Sequence, residues 1–371
     1  MKRVLYISAV IVLFLILTAP DALAYEVSVF DESVDALKNS LSDEARERLE
    51  ALGVEGPDEV DQIQITDVFQ SIADELTDAL TGPMPSLALL MSALLIISLL
   101  EGYTDSLRHT QMKEIMAVVT SLFMAAALVS PLCSLLNNAV IVMKSASGLM
   151  MLYLPLMVGM MVFTGRFLQA GGYYATVMTA ANVISWFSTA VLSPLLTAYL
   201  AVSSCAGLSS RIRLKGFCDM VYRFVKWSLT FVMSIFTAIL ALQTVTAGAA
   251  DTVTSRAARF TLGSLIPVVG AAVSEAYRTL QSSVNLLRSG VGVFAVLGLM
   301  ATFLPIILQT LMWQVGLQLT RHTAVILNVD SADSLLDALS SVISILTAIM
   351  ISVALVFLIS TASLLMIGGA S

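Results

Sequence analysis

Charge is what this 371-residue sequence has least of: 12% of it is Asp, Glu, Lys or Arg, about half the share usual in soluble domains. Histidine is nearly missing, with only His109 and His322, and cysteine is limited to Cys133, Cys205 and Cys218. No two cysteines form a C-x-x-C pair, so neither a disulfide framework nor thiol chemistry is expected. The histidines make no H-E-x-x-H site, and neither a P-loop nor a dinucleotide fingerprint occurs. No pair of aspartates sits inside a hydrophobic run to suggest proteolysis within the membrane. The chain is therefore not expected to be an enzyme or to carry a metal or a cofactor. Nucleic acid is not an expected partner either, because that would need a clustered basic face.

What fills the chain is hydrocarbon. Hydrophobic residues make up 58% of it and the mean hydropathy is +0.90. Several runs reach the ~20 apolar residues that a bilayer crossing takes, which marks a polytopic membrane protein. The first run has a different character. Lys2 and Arg3 precede an apolar stretch from Val4 to Leu17, and "APDALA" then places Ala22 and Ala24 ahead of Tyr25. A basic start, a short core and an A-x-A end make residues 1–24 a secretory signal peptide, with an uncleaved anchor as the rival reading. Under both readings residue 25 begins on the far side of the membrane.

The remaining charge is unevenly divided. Residues 25–85 hold 16 acids and 3 bases, a balance of 3 − 16 = −13; residues 86–371 hold 14 bases and 9 acids, or +5. Within the acidic segment Val34, Leu37, Leu41, Ala45, Leu49 and Leu52 recur at three-and-four spacing, as do Ile65, Val68, Phe69, Ile72, Leu76 and Leu80. Each stripe predicts an amphipathic helix, and "GVEGPDE" at 53–59 separates the two. These helices either lie against the rest of the protein or form a docking surface for a partner outside the membrane.

"SIFTAIL" at 234–240 returns as "SILTAIM" at 344–350 and, more loosely, as "SLFMAAA" at 121–127. Lys113 then aligns with Lys226, Pro155 with Pro267, Gly159 with Gly270, Pro194 with Pro305, and Arg166-x-Leu168-Gln169 with Arg278-x-Leu280-Gln281, all at offsets of 111 to 113. Leu-, Ala- and Ser-rich helices resemble one another by composition, but a shared order at near-constant offset points to duplication. The expected unit is a spanning helix A, a Pro-centred segment B, an Arg-x-Leu-Gln turn and a helix C kinked at proline. The predicted order is an acidic segment at 25–85, a first transmembrane helix and cytoplasmic loop at 86–112, repeats at 113–225 and 226–336, and a last helix at 337–371. Residues 172–206 would extend about 52 Å as one helix, which is long for one ~30 Å crossing and short for two, so a kink at Pro194 is expected. The fold class is all-α: about six spanning helices, two Pro-containing re-entrant or interfacial segments, and a tandem parallel internal repeat.

Orientation is set by basic loops. "RIRLKGFCDMVYRFVK" at 211–226 carries five bases, Arg211, Arg213, Lys215, Arg223 and Lys226, against one acid, and so should face the cytoplasm and offer a partner loop there. Arg108 and Arg321 precede the first and last A helices, so all three A helices start inside.

Candidate contact or pore residues lie where backbone is expected to break at membrane depth, since such backbone must be buried in protein or line a wet cavity. They are Pro155, Gly159 and Arg166 in the first unit and Asp251, Arg256, Arg259, Pro267, Gly270 and Arg278 in the second, with kinks at Pro194 and Pro305. Arg256 and Arg259 share a helix face; they either snorkel to headgroups or mark a buried pathway. Met143, Met150, Met151, Met157, Met160 and Met161 read as flexible packing filler rather than a thioether metal path. Lys144 and Arg166 flank them as interface anchors.

The stretch "GAADTVTSRAARFTLGSLIPVVGAAVSEA" at 248–276, with its D-x(4)-R-x-x-R-F and L-I-P-V-V-G, resembles the stage III sporulation protein AE family, and the likeness extends over about 84–371. That resemblance implies a protein of an endospore-forming bacterium, made in the mother cell and placed in the membrane facing the forespore. It implies membership of a channel, or feeding-tube, complex joining the two compartments. The implied partners are the other stage III A proteins, including a secretion-type cytoplasmic ATPase, and through them the forespore protein Q, within a homo- or hetero-oligomer. The alternatives are a self-contained secondary transporter and a scaffold that recruits the ATPase through the 211–226 loop. The family brings no catalytic residues to carry over.

Overall fold

A computed structural model describes residues 32–60, 65–106, 110–164, 166–187 and 270–369, together with isolated positions between 190 and 242. Among the described residues the chain is helical and has no strand. In chain order the helices are α1 (32–40), α2 (Asp43–Ala51), α3 (Ile65–Thr81), α4 (Met84–Ser106), α5 (Thr110–Phe163), α6 (Phe167–Phe187), α7 (Gly270–Ile326) and α8 (Asp330–Gly369). It is a multi-pass membrane protein: four helical stretches are long and apolar enough to cross a bilayer, Gln70–Leu100, Val118–Val162, Ser289–Ile326 and Leu335–Leu365. Of two further expected spans, the one at 172–206 is described through residue 187 as the body of α6, and the one from 226 onward only at scattered positions up to 242.

Two helical hairpins organise the bundle. The turn between α7 and α8 occupies only 327–329, with Asn328 in the left-handed region at φ 59°. Asparagine tolerates that conformation better than most residues with a side chain. The Val329 N–H bonds the Ala324 carbonyl at 2.9 Å and the Asn328 N–H the Val325 carbonyl at 3.1 Å, closing α7 in the usual two-bond way. The two helices then run antiparallel: Phe303 and Phe357 lie 6.4 Å apart between ring centres, and Gly292 faces Leu365. The second hairpin, α5–α6, turns at 164–166 and leans on α8, where the buried Tyr173 hydroxyl donates to the Ser360 carbonyl. Helix α4 runs parallel to the end of α7, with Leu87 against Gly316 and the Ser98 hydroxyl donating to the Leu327 carbonyl.

The acidic segment lies against this bundle. Leu37, Leu41, Ala45 and Leu49 are buried in the same hydrophobic core as α5, α7 and α8, with Val34 and Leu52 packed at its edge. Ser42 caps α2, accepting from the Ala45 N–H at 3.2 Å, with Asp43 and Glu44 in the first turn where the helix dipole favours acids. Gly53, at φ +73°, ends it. Two glycines of α7 admit the segment: a Cβ on Gly290 would meet the Pro57 carbonyl oxygen at 2.7 Å, and one on Gly298 would meet Leu41 at 3.0 Å. The second stripe fits less tightly, since Leu76 and Leu80 stay exposed while Ala79 is buried.

Two expectations fail. Segment B of the first unit neither re-enters nor forms a separate interfacial piece: it continues helix A, and together they make the 54-residue α5 with Pro131 and Pro155 inside. Each proline deletes one helical hydrogen bond, but the helical ladder resumes after both and runs on through the polar Lys144–Gly148 stretch. The Arg-x-Leu-Gln match also parts company. Arg166 stands at the break before α6, whereas Arg278-x-Leu280-Gln281 lies inside the continuous α7, so only the first copy is a turn. The matching segment B of the second unit falls mostly outside the described residues.

Candidate functional site

Where α2 and α3 cross α5 and α7, they leave a cleft of 380 Å³ lined by Ser42, Glu44, Arg48, Glu75, Asp78, Asn138, Thr302, Pro305 and Gln309, among others. It gathers polar side chains against the long apolar helices. Arg48 on α2 bridges to α3, its Nε 2.7 Å from Glu75 Oε2 and its second nitrogen 3.3 Å from Oε1, the fork geometry that suits guanidinium and carboxylate. Glu44 approaches the same guanidinium at 4.0 Å. One base against Glu44, Glu75 and Asp78 gives a formal balance of 1 − 3 = −2, so the cleft favours cations over anions. Asn138 and Gln309 add neutral donors and acceptors, while the buried Thr302 hydroxyl is spent on the Gly298 carbonyl at 2.6 Å. Pro305 has no N–H and so removes the helical donor to the Ala301 carbonyl, a second wall residue. Among the described residues no group of three or more His, Cys, Asp or Glu could hold a metal ion.

A second charged cluster closes the α7–α8 hairpin. Arg321 reaches Asp333 at 2.8 Å and Asp337 at 2.5 Å. The two aspartates lie four apart on one face of α8, and the arginine between them offsets their repulsion.

The residues singled out from sequence are dispersed. Pro155 and Gly159 lie inside α5, Pro155 exposed and Gly159 partly buried; Arg166, partly buried, precedes α6; Gly270 opens α7, and Arg278 comes later in it. Pro305 alone among them lines the cleft, as a helical residue in an unbroken α7. Pro194 and Arg223 are helical and exposed. Asp251, Arg256, Arg259, Pro267, Arg211, Arg213, Lys215 and Lys226 lie outside the described residues. Five of the six clustered methionines are buried in the common core, Met143, Met150, Met157, Met160 and Met161, and act as packing. Arg48, Glu75, Asn138 and Gln309 carry no signal in the sequence, because only tertiary packing brings positions 27 to 261 residues apart to one opening. The Asp333–Asp337 spacing is the one local signal for the second cluster.

Comparison with known proteins places the chain. The family model described as "Stage III sporulation protein AE (spore_III_AE)" matches residues 56–368. The Stage III sporulation protein AE of Bacillus subtilis (strain 168) is 20% identical over 161 residues, 43% of this chain and 40% of that protein, so the match spans two fifths of the relative's length. No solved structure matches. With the family model covering the acidic segment's turn, the cleft helices α3, α5 and α7 and both hairpins, the chain belongs to the stage III sporulation protein AE family and is a sporulation-related membrane protein.

Proposed function

We propose that this chain is a non-catalytic membrane subunit of the channel, or feeding-tube, complex that joins mother cell and forespore during endospore formation. It would sit in the mother-cell membrane facing the forespore. The observation that carries the reading is the family match over residues 56–368, which takes in nearly all of the membrane body. An exposed apolar face adds a means of assembly. At helical spacing, Met220, Phe224, Trp227, Phe231, Ile235, Ile239 and Leu242 are all exposed, while Phe236 on the opposite side reaches the core. That face suits lipid or a neighbouring subunit. The partners in this reading are the other stage III A proteins, their cytoplasmic ATPase and, indirectly, the forespore protein Q.

The test is genetic and biochemical together. In an endospore former deleted for its own family member, this chain should restore heat-resistant spores and co-purify with stage III A proteins. Purified alone in liposomes, it should give no saturable, gradient-coupled uptake. Such uptake by the isolated chain would establish the transporter reading instead. Crosslinking of the 211–226 loop to the ATPase, with no permeation even when partners are present, would establish the scaffold.

A further inference from the structure

Charge bounds where α7 can cross the bilayer. Between Arg288 and Arg321 it carries none, over residues 289–320, 32 in all. A ~30 Å hydrocarbon core takes about 20 residues. The crossing can slide within this stretch but cannot leave it without drawing an arginine into hydrocarbon. Its first placement is about 289–308 and its last about 301–320, and both contain 301–308. Tilting lengthens the crossing and only widens that overlap. The packed neighbours agree: α8 has no charge after Asp337, α6 has none, and α5 between Glu114 and Arg166 has only Lys144, whose stem is long enough to snorkel.

Residues 301–308 form a wall of the cleft. Ala301, Thr302, Pro305 and Ile306 line it together with Glu44, Arg48, Glu75 and Asp78. The cleft therefore lies at membrane depth wherever in the charge-free stretch the bilayer is set. The Glu44 side chain is 84% exposed, and Asp78 is exposed as well, while Arg48 is committed to Glu75 by two hydrogen bonds. Ionised carboxylates at that depth require water beside them.

Two arrangements spare the carboxylates: the segment leaves α7 when lipid surrounds it, or water reaches the cleft. The packing favours the second. Leu37, Leu41, Ala45 and Leu49 are buried in the common core. A Cβ on Gly290 would stand 2.7 Å from the Pro57 oxygen, and one on Gly298 would stand 3.0 Å from Leu41, so both contacts are fitted to the absence of a side chain. Exposed Asp35, Glu47 and Asp58 continue the carboxylate surface from the cleft towards the Gly290 contact, and water has a polar path along them. Elsewhere at this level the body is apolar. Phe303 of α7 meets Phe357 of α8, and Ile351 and Leu355 are exposed just before it.

We propose that the cleft is a hydrated vestibule for small monovalent cations within the membrane, reached along the acidic segment and backed by α5 and α7. Its formal balance of −2 draws cations in and repels anions. The amide oxygens of Asn138 and Gln309, together with the Ala301 carbonyl that Pro305 frees, stand in for part of a cation's water. The assignment rests on the chain crossing a membrane and not on which complex it joins.

The experiment uses the full chain carrying Cys133→Ala, Cys205→Ala and Cys218→Ala, in phosphatidylethanolamine–phosphatidylglycerol nanodiscs open to water on both faces. Single cysteines are introduced as Asn138→Cys in the cleft and Leu355→Cys on the apolar flank. Two membrane-impermeant methanethiosulfonates are compared, a trimethylammonium cation and a sulfonate anion, each rate divided by its rate with a free thiol in the same buffer. Position 138 should react at least an order of magnitude faster than position 355 until detergent is added. It should favour the cation about three-fold or more, and Glu44→Gln with Asp78→Asn should remove that preference. Equal rates at 138 and 355 would overturn the proposal: both slow means a dry cleft, both fast a level outside the bilayer. Equal rates for cation and anion at 138 would overturn the choice of ligand. Two cysteine pairs, Pro57→Cys with Gly290→Cys and Leu41→Cys with Gly298→Cys, should form disulfides in nanodiscs as in detergent. Loss of both in nanodiscs would show the segment leaving α7 in lipid and would overturn the proposal as well.

Discussion

Arg48 of α2 and Glu75 of α3 share two hydrogen bonds, of 2.7 and 3.3 Å, over the mouth of the cleft. The pair joins helices separated by the 53–64 stretch and closes the acidic segment into one unit. Both side chains are less than one-third exposed, at 30% and 16%, so solvent screens the bond only in part.

Arg48→Ala should therefore cost about 1–2 kcal/mol of attachment and leave Glu75 beside Glu44 and Asp78 without its counter-charge. The expected outcome is faster limited proteolysis in the Gly53–Glu59 turn. The exchange Arg48→Glu with Glu75→Arg should restore much of the protection, and a double-mutant cycle measures the coupling.

Gly290→Ala places a methyl group where the Pro57 carbonyl oxygen already sits, at 2.7 Å. Backbone cannot swing aside as a flexible side chain can, so a penalty of about 1–3 kcal/mol is expected. The same substitution at Gly159, where nothing lies within 4 Å, should be neutral or slightly stabilising. Apparent melting temperatures in detergent should rank the two in that order.

Arg321→Ala leaves Asp333 and Asp337 facing each other four residues apart. Loss of the hairpin clamp should lower the melting temperature, and the loss should be greater at low salt than at high salt. Adding Asp337→Asn should recover part of it. A double variant no more stable than Arg321→Ala would show that carboxylate repulsion contributes nothing.

Asn328 holds φ 59° at the α7–α8 turn. Asn328→Gly should preserve or raise stability, since glycine adopts that conformation freely. Asn328→Val should lower it by about 1–2 kcal/mol, read as an earlier melt with unchanged helix content by circular dichroism.

Sequence alone determined that the chain is helical, lies in a membrane and carries an acidic amphipathic segment. Those properties reside in composition and local periodicity: Leu37, Leu41, Ala45 and Leu49 share a face in any helix that contains them. It also supplied the family, because the 248–276 block is a string of residues and needs no fold to be read. Tertiary structure decided the rest. Whether Pro155 ends a helix depends on its neighbours, and with apolar residues on both sides the ladder resumes through Phe163. The meeting of Arg48 with Glu75, and of both with Asn138 and Gln309, depends on distances through space that no spacing rule encodes. Apolar runs report that a helix avoids water but not what covers it. On α7 that was decided by Gly290 and Gly298, whose missing side chains let Pro57 and Leu41 of the acidic segment pack closely.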